Sequence, residues 1–263
     1  MSDIHYIDTH AHILSSEFEE DFEDVLKRAK DNHVDEIMII TLSNEVTKKA
    51  MAFAETDPSR YYVAAGIFPT DTENTSEEYW SEFEELVKDP RVTCIGEIGL
   101  DYYWQKEERQ HEIQKEAFIR QIEIAKRVEK PFLVHSRDAI QDTYDIMKEH
   151  HYRGLMHCYS SSKEMAIEFT KLGYYIALGG VLTFKNAKQA VEVCEAIDEN
   201  YLLSETDCPY MSPVPHRGER NEPSNIPFIV EKMAEVRNTS VEHIANCIEN
   251  NWHRFLGKED EKN

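Results

Sequence analysis

The sequence predicts an α/β fold in which eight parallel strands close into a (β/α)₈ barrel, the TIM barrel. Short apolar, β-branched runs recur eight times along the 263 residues, and each is followed by a longer segment with helical spacing. Such alternation favours right-handed crossovers between parallel strands, and eight units in a chain of this length favour closure. Because no Gly/Ser-rich or Pro-rich linker divides the chain, residues 1–263 are predicted to form a single TIM-barrel domain.

The strands are predicted where β-branched and aromatic residues cluster, at 4–7, 36–41, 61–66, 92–96, 132–135, 154–157, 174–178 and 201–204. The helices are predicted where apolar residues recur at helical spacing, at 18–30, 46–55, 76–87, 107–128, 139–150, 163–172, 186–197 and 226–236. A ninth helix is predicted up to residue 256, with Ser240 as its N-cap. A doubly wound open sheet is the alternative. It is disfavoured because no G-x-G-x-x-G follows the first strand and no Walker loop occurs.

The net charge of −22 argues against an extended basic groove for nucleic acid but permits a few phosphate contacts in one cleft. The cysteines, at positions 94, 158, 194, 208 and 247, contain no C-x-x-C pair, which favours a reducing cytosol over a disulfide framework. The sequence enters a strand without a basic and apolar leader, and no apolar run approaches the roughly 20 residues of a membrane span. We therefore expect a cytoplasmic protein that does not bind membranes, and nothing indicates an obligate protein partner.

Residues that commonly bind metals fall at the carboxyl ends of the predicted strands, where barrel enzymes place their catalytic groups. An H-x-H motif follows the first strand, and its two imidazoles should leave the strand on the same side. The complete set is His10 and His12, Glu97, His135, His157 and Asp207. A mixed nitrogen and oxygen set of this size is what two adjacent divalent ions require, and it admits Zn, Mn, Mg, Co or Ni.

Other residues near these positions suggest supporting roles. Glu205 should share a face with Asp207, either orienting a ligand histidine or forming a buried ion pair with a lysine or arginine. Arg217 and Arg220 lie in the long loop after the last strand, and Arg137 lies two residues after His135. All three are predicted phosphate contacts, although the loop could also be an ordinary exposed one.

An aromatic run, residues 102–104, follows the fourth strand. These side chains could stack on the bases of a single strand, as aromatic platforms do. Equally, they could pack the top of the barrel. The sequence leaves both open.

These motifs together resemble the TatD-related metal-dependent hydrolases, a branch of the amidohydrolase-like barrels. The matching blocks are D-T-H-A-H at 8–12, G-E-I-G-L-D-Y at 96–102, H-S-R-D-A at 135–139, H-C-Y-S at 157–160, S-E-T-D-C-P-Y at 204–210 and R-G-E-R-N-E-P at 217–223. The resemblance implies a barrel with two divalent metal ions and deoxyribonuclease activity, often 3′ to 5′ exonucleolytic. It also implies that the six residues above are the metal ligands, with Glu97 bridging.

The expected reaction is hydrolysis of a phosphodiester in locally bound DNA by a metal-activated hydroxide. Asp207 and Glu97 would be catalytic, and Asp207 would orient the water and accept its proton. The three arginines, Arg137, Arg217 and Arg220, would contact phosphate. One rival is hydrolysis of a carbon centre, such as a cyclic amide, lactone or aminoacyl ester. Another is a metal-stabilised binding scaffold without activity.

Overall fold

The computed structural model describes residues 4–258, and within them eight strands form one sheet in the order β1 to β8. Each strand pairs in parallel with the next along the chain. The strands are β1 Tyr6–Ala11, β2 Val34–Thr41, β3 Tyr61–Ala65, β4 Val92–Asp101, β5 Phe132–Arg137, β6 Gly154–Met156, β7 Tyr175–Leu178 and β8 Leu202–Ser204. This order confirms the predicted fold class. Residues 1–3 and 259–263 of the predicted domain lie outside the described residues.

Polar side chains join β1 to β8 and bring the sheet close to full closure. Ser204 Oγ donates to the carbonyl of Ile7 at 2.8 Å, and Thr9 Oγ1 donates to the carbonyl of Ser204 at 2.9 Å. Beyond β8, Ala11 forms a parallel bridge with Cys208. The first and last parts of the barrel are thereby held together at the carboxyl end of β1.

Nine α-helices alternate with or follow the strands within residues 4–258. They are α1 Phe22–Asp31, α2 Asn44–Ala54, α3 Glu77–Leu86, α4 Glu108–Arg127, α5 Ile140–Glu149, α6 Lys163–Lys171, α7 Lys188–Ala196, α8 Ile226–Val236 and α9 Val241–Leu256. Ser43, Ser76, Ser162 and Ser240 cap α2, α3, α6 and α9 by accepting a backbone N–H three residues on, which confirms the predicted cap at Ser240. No helix in this part of the chain combines the length and apolarity needed to cross a membrane.

The first helix begins later than predicted. Residues Ser16–Phe18 form a 3₁₀ turn that buries Phe18, and α1 starts only at Phe22. The intervening Asp21 is held by Arg28 and Arg220, which fixes the segment as a turn against the loop after β8. Periodicity does not reveal these contacts, one of which joins residues 199 positions apart.

Strands β1 and β4 extend further than predicted. Strand β1 continues through Asp8, Thr9 and His10, and β4 continues through Glu97 to Asp101; all of these side chains are buried. The prediction stopped early because it followed apolar runs, whereas these strand ends are polar and face the barrel interior. Gly99 permits the extension: a Cβ there would lie 2.0 Å from the carbonyl oxygen of His135 on β5.

Helix α9 contacts β1 and β8 and lies at the amino end of the barrel. Trp252 Nε1 donates to Glu36 of β2 at 2.8 Å, and Asn251 donates to the carbonyl of Leu202 at 2.8 Å. Trp252 and Phe255 are fully buried, and burial of such side chains contributes about 1.5–3 kcal/mol each. With this end packed, the opposite, carboxyl end carries the polar groups described next.

Candidate metal centre

One group of potential ligands joins the end of β1 to the segment after β8, and we call His10, His12 and Asp207 the first half. Asp207 Oδ1 lies 3.7 Å from His10 Nε2 and 3.5 Å from His12 Nε2. The backbone holds the group in place: the N–H of Asp207 donates to the carbonyl of His10 at 2.9 Å, and the N–H of His12 donates to the carbonyl of Cys208 at 3.0 Å. The two histidines and the carboxylate therefore converge on one point.

The second half consists of His135 on β5 and His157 directly after β6. Glu97 Oε1 lies 3.0 Å from His135 Nδ1 and 3.3 Å from His157 Nε2. The other oxygen, Oε2, lies 3.5 Å from His10 Nε2 and 3.8 Å from His12 Nε2. Glu97 thus stands between the halves and presents one oxygen to each.

Carboxylates hold the far side of both histidines in the second half. His157 Nδ1 donates to Glu205 Oε2 at 3.2 Å, and the N–H of Cys158 donates to Glu205 Oε1 at 2.6 Å. His135 Nε2 contacts Asp101 Oδ2 at 3.0 Å. Glu205 therefore contacts a histidine, as one of its two predicted roles requires, and among the described residues it forms no ion pair with a lysine or arginine.

Asp101 is a functional residue that apolar periodicity does not reveal, although its position in the sequence carries a signal. Asp101 lies four residues after Glu97 on β4, and residues separated by an even number on a strand share a face. Its placement beside His135 follows from that spacing once β4 is known to extend so far.

Asp8 is a second residue whose role was missed, and it supports the first half through the backbone. Its Oδ1 accepts the N–H of Thr206 at 2.9 Å, and its Oδ2 accepts Thr206 Oγ1 at 2.6 Å. Burial raises the pKa of Asp8 to about 7, against the opposing effect of the Thr206 hydrogen bonds. Asp8 thereby ties β1 to the residue that precedes Asp207. Its spacing of two from His10 was the available signal.

The electrostatics keep the central carboxylates charged. Burial by itself would raise the pKa of Glu97, but the charge on His157 and hydrogen bonds with His10 and His135 bring it well below the usual value. Burial would also raise the pKa of Asp207, but the hydrogen bond with His12 and the charge of His157 outweigh this effect and lower it. Both are ionised at neutral pH, which is the form that binds cations.

The pKa values of His10 in the first half and His157 in the second half are shifted in opposite directions. Burial and the neighbouring charge of His157 lower the pKa of His10, which favours the neutral ring with a free lone pair. Burial would also lower the pKa of His157, but the charges of Glu205 and Glu97 raise it well above the ordinary value. A cation at the second half must therefore displace a proton more often than a cation at the first.

The donor set fits divalent cations. His10 Nε2 and His12 Nε2 lie only 3.2 Å apart, an arrangement that a shared cation satisfies and that two neutral lone pairs would not favour. The ligand atoms of His10, His12 and Asp207, and those of Glu97, His135 and His157, each lie within 4.8 Å of one another. Imidazole combined with carboxylate suits Zn, Mn, Co or Ni. Mg would suit the site if more of its ligands were oxygen atoms.

A separate group of Glu199, His243 and Cys247 also has ligand atoms within 4.8 Å of one another. It lies at the amino end of the barrel, since Glu199 directly precedes β8. His243 there pairs with Glu199 at 3.1 Å. The side chains of this group are more exposed than the six potential ligands at the carboxyl rim. The group therefore serves as a comparison within the same protein for metal binding.

The predicted phosphate contacts have different surroundings. Arg137 is exposed, and its guanidinium lies 3.8 Å from the centre of the Tyr103 ring. Arg217 is exposed and lies over Phe184 at 4.3 Å. Arg220 instead donates to both oxygens of Asp21, at 2.8 and 2.7 Å. Phosphate binding by the three arginines stays a prediction, and the bonds of Arg220 favour a structural role.

Comparisons with known proteins agree with this geometry. The family model described as TatD related DNase matches residues 7–257. The uncharacterized metal-dependent hydrolase YabD of Bacillus subtilis is 40% identical over 95% of this chain and 98% of its own. The uncharacterized metal-dependent hydrolase TatD of Mycobacterium tuberculosis is 31% identical over 95% of this chain and 97% of its own.

Two solved structures are similar over nearly the whole chain. The TatD homologue YJJV of Escherichia coli superposes with a TM-score of 0.89 at 29% identity, covering 96% of this chain and 98% of that one. A TatD family hydrolase from Entamoeba histolytica superposes with a TM-score of 0.85 at 25% identity, covering 97% and 98%. The resemblance noted from the motifs is confirmed. The chain therefore belongs to the TatD-related DNase family of metal-dependent hydrolases.

Proposed function

We propose that this protein hydrolyses phosphodiester bonds in DNA, acting from 3′ to 5′ on single-stranded or frayed ends, with two divalent cations at the carboxyl rim. The observation that carries the proposal is the division of the Glu97 carboxylate, whose oxygens lie 3.0 Å from His135 and 3.5 Å from His10. A carboxylate that lies between two ligand groups would hold two divalent cations close together, and such a pair would stabilise both the attacking and the leaving oxygen of a phosphodiester.

When bound, divalent cations would act as Lewis acids on a phosphoryl oxygen and lower the pKa of water. The first half would hold one through His10, His12 and Asp207, and the second half the other through His135 and His157. Glu97 would be shared.

Asp207 would orient the attacking water and take up its proton. Its carboxylate is almost buried, is ionised because its pKa is lowered, and lies beside both histidines of the first half. Proton transfer to such a positioned group contributes about 10²–10⁴-fold to rate. Arg137 and Arg217 would offset charge on the phosphate oxygens.

The net charge of −22 limits how the substrate is held. Few phosphates can be engaged, so the logarithm of affinity should fall only gently with the logarithm of salt concentration. This favours local binding of a strand end over tight binding along a duplex. A steep salt dependence would contradict local binding.

We also propose that the protein acts in the cytoplasm, without an obligate protein partner. Its cysteines, all within the described residues, are free thiols. A reducing compartment preserves that state.

A substrate-by-metal activity profile tests the proposed function. Single-stranded DNA labelled at either end, RNA, a simple phosphodiester and a carboxylic ester would be incubated with Zn, Mn, Mg, Co or Ni. We expect metal-dependent turnover of DNA, with loss of label from the 3′ end first. Turnover of the ester without any phosphodiester turnover would overturn the proposal, and would point instead to a carbon centre.

A further inference from the structure

The exposed large apolar side chains of the described residues all lie at the carboxyl rim. They are Tyr103, Trp104, Tyr210 and Val214, and Trp104 is the most exposed at 67%. The first two follow β4, and the other two follow β8. Single exposed apolar residues are common, but aromatic side chains gathered beside a site usually mark an interaction surface.

The rim platform, which we define as Tyr103, Trp104 and Arg137, is tied directly to the second half. The N–H of Trp104 donates to Asp101 Oδ1 at 2.9 Å, while Asp101 Oδ2 contacts His135 Nε2 at 3.0 Å. One carboxylate thus connects a potential metal ligand to the backbone of the exposed tryptophan. A base lying on Trp104 would be close to the proposed scissile bond.

The platform combines aromatic faces with positive charge. The rings of Tyr103 and Trp104 meet edge to face at 4.9 Å, and Arg137 lies over the Tyr103 ring at 3.8 Å. Within residues 4–258 no carboxylate lies within ion-pair distance of Arg137. The charge of Arg137 helps to lower the pKa of Asp101, and it places a positive group at this surface of a protein whose net charge is −22. Aromatic faces next to a cation suit a base and its phosphate together.

A polar cavity of about 500 Å³ adjoins the platform. Its wall includes Ser136 and Arg137 at the end of β5 and Ser160 and Ser161 in the loop after β6, together with the side chains of Asp138 and Asp142. Hydroxyl and guanidinium groups are donors to phosphate and sugar oxygens. The cavity therefore offers a path for the backbone of a strand whose base lies on the aromatic faces.

We infer that the rim platform binds an unpaired strand of DNA, with one base stacked on Trp104 and an adjacent phosphate on Arg137. The inference rests on the proposed function and adds the surface that selects unpaired ends. Because every base has an aromatic face, the platform should be tolerant of sequence. A paired base is already stacked within its duplex and would not be available.

Tryptophan fluorescence reports directly on the platform. The protein has three tryptophans, and Trp80 and Trp252 are 4% and 0% exposed. A phosphorothioate oligothymidylate, which resists hydrolysis, should therefore quench the emission of Trp104 in the metal-loaded wild-type protein. In Trp104→Phe the oligomer should leave the remaining emission unchanged. The absence of quenching at saturating oligomer would overturn the inference.

Binding and turnover of matched substrates provide the second test. Trp104→Ala should raise the Kd and KM for oligothymidylate by about tenfold, and Trp104→Tyr should restore most of the loss. Both variants should act like wild type on an oligomer of abasic nucleotides, which keeps the phosphodiesters but has no bases. Val214 is an exposed rim residue outside the platform, so Val214→Ala is the matched control. This variant should bind and cleave both oligomers as wild type does.

The possible failures are distinguishable. If wild type cleaves neither oligomer with any metal, the proposed function fails. If wild type cleaves both and Trp104→Ala behaves like wild type on both, the proposed function stands and the platform inference fails. Equal losses on both oligomers would also overturn the inference, because they would place the role of Trp104 in the support of Asp101 and not in stacking.

Discussion

The two halves of the rim site are held in place by different means. In the second half, His135 and His157 each contact a carboxylate behind the ring, from Asp101 and Glu205. In the first half, backbone hydrogen bonds between the end of β1 and the segment after β8 fix the ligands. The Nδ1 atom of His10 is buried and has no hydrogen-bond partner among the described residues.

The two halves should therefore respond differently to substitution. The second half depends on side-chain carboxylates, so single substitutions can weaken it without moving its ligands. The first half depends on main-chain geometry, reinforced by Asp8 binding both the N–H and the hydroxyl of Thr206. Glu97 belongs to both halves, and substitutions there should not discriminate between them.

The largest effect is expected from Glu97→Gln. A glutamine has one carbonyl oxygen and cannot present an oxygen to each half, and its NH₂ group opposes a cation. Metal content should fall at both halves, and phosphodiester turnover should fall on the order of 10³-fold or more. Mass spectrometry of metal content and turnover in metal-replete buffer measure this. Glu45→Gln, at an exposed glutamate paired with Lys49, is the control. Unchanged turnover would contradict the role of Glu97 as the carboxylate shared by the two halves.

The next largest effect is expected from Asp207→Asn, which removes a carboxylate from the first half only. The second half keeps His135, His157 and Glu97, so metal content should fall from two ions to one. Turnover should fall by roughly 10²-fold or more, because the proposed proton acceptor is lost. Equilibrium dialysis against Mn²⁺ or Zn²⁺ gives the stoichiometry. Loss of both ions would show that the halves are not independent.

A moderate effect is expected from Glu205→Gln. Removal of the charge behind His157 should weaken metal binding at the second half by about 10- to 100-fold. Since Glu205 raises the pKa of His157, the variant should lose protons from this ring at lower pH. Metal binding to the second half should therefore begin at a more acidic pH than in wild type, although it stays weaker at neutral pH.

Metal titrations across the acid-to-neutral range measure both effects of Glu205→Gln. Glu168→Gln, at a surface ion pair with Lys171, is the control. If the titration shows weaker binding at the first half instead, the assignment of Glu205 to the second half is wrong.

The smallest effect is expected from Arg220→Ala. Arg220 joins the loop after β8 to Asp21, which directly precedes α1. Exposed ion pairs contribute little, so turnover should change by no more than about fivefold. Arg217→Ala is the comparison, since Arg217 forms no ion pair within residues 4–258 and is a proposed phosphate contact. A larger loss for Arg220 than for Arg217 would reverse these two roles.

Much of the fold and the ligand positions could be predicted because both depend on local pattern. Each strand-helix unit has its own apolar periodicity, and parallel strands in a barrel end on the same rim. That rule brought His10, Glu97, His135, His157 and Asp207 to one place, where the structure also puts them.

The supporting contacts could not be predicted in the same way. Asp8 binds Thr206 across 198 positions of sequence, and Asp101 meets His135 across 34. Such pairs depend on strand register and on where each strand ends. Apolar runs also do not reveal how far β1 and β4 extend, because both strands end in polar residues. The binding partner of Arg220 was missed for the same reason, since Asp21 lies 199 positions away.

Anomalous diffraction from crystals of the Mn²⁺- or Zn²⁺-loaded protein would locate the two cations. We expect two peaks at the carboxyl rim, one on each side of the Glu97 carboxylate, and both should persist in His243→Ala, a variant of the separate amino-end group. A single peak at the rim, or a second peak only beside Glu199 and Cys247, would contradict the assignment of two halves joined by Glu97.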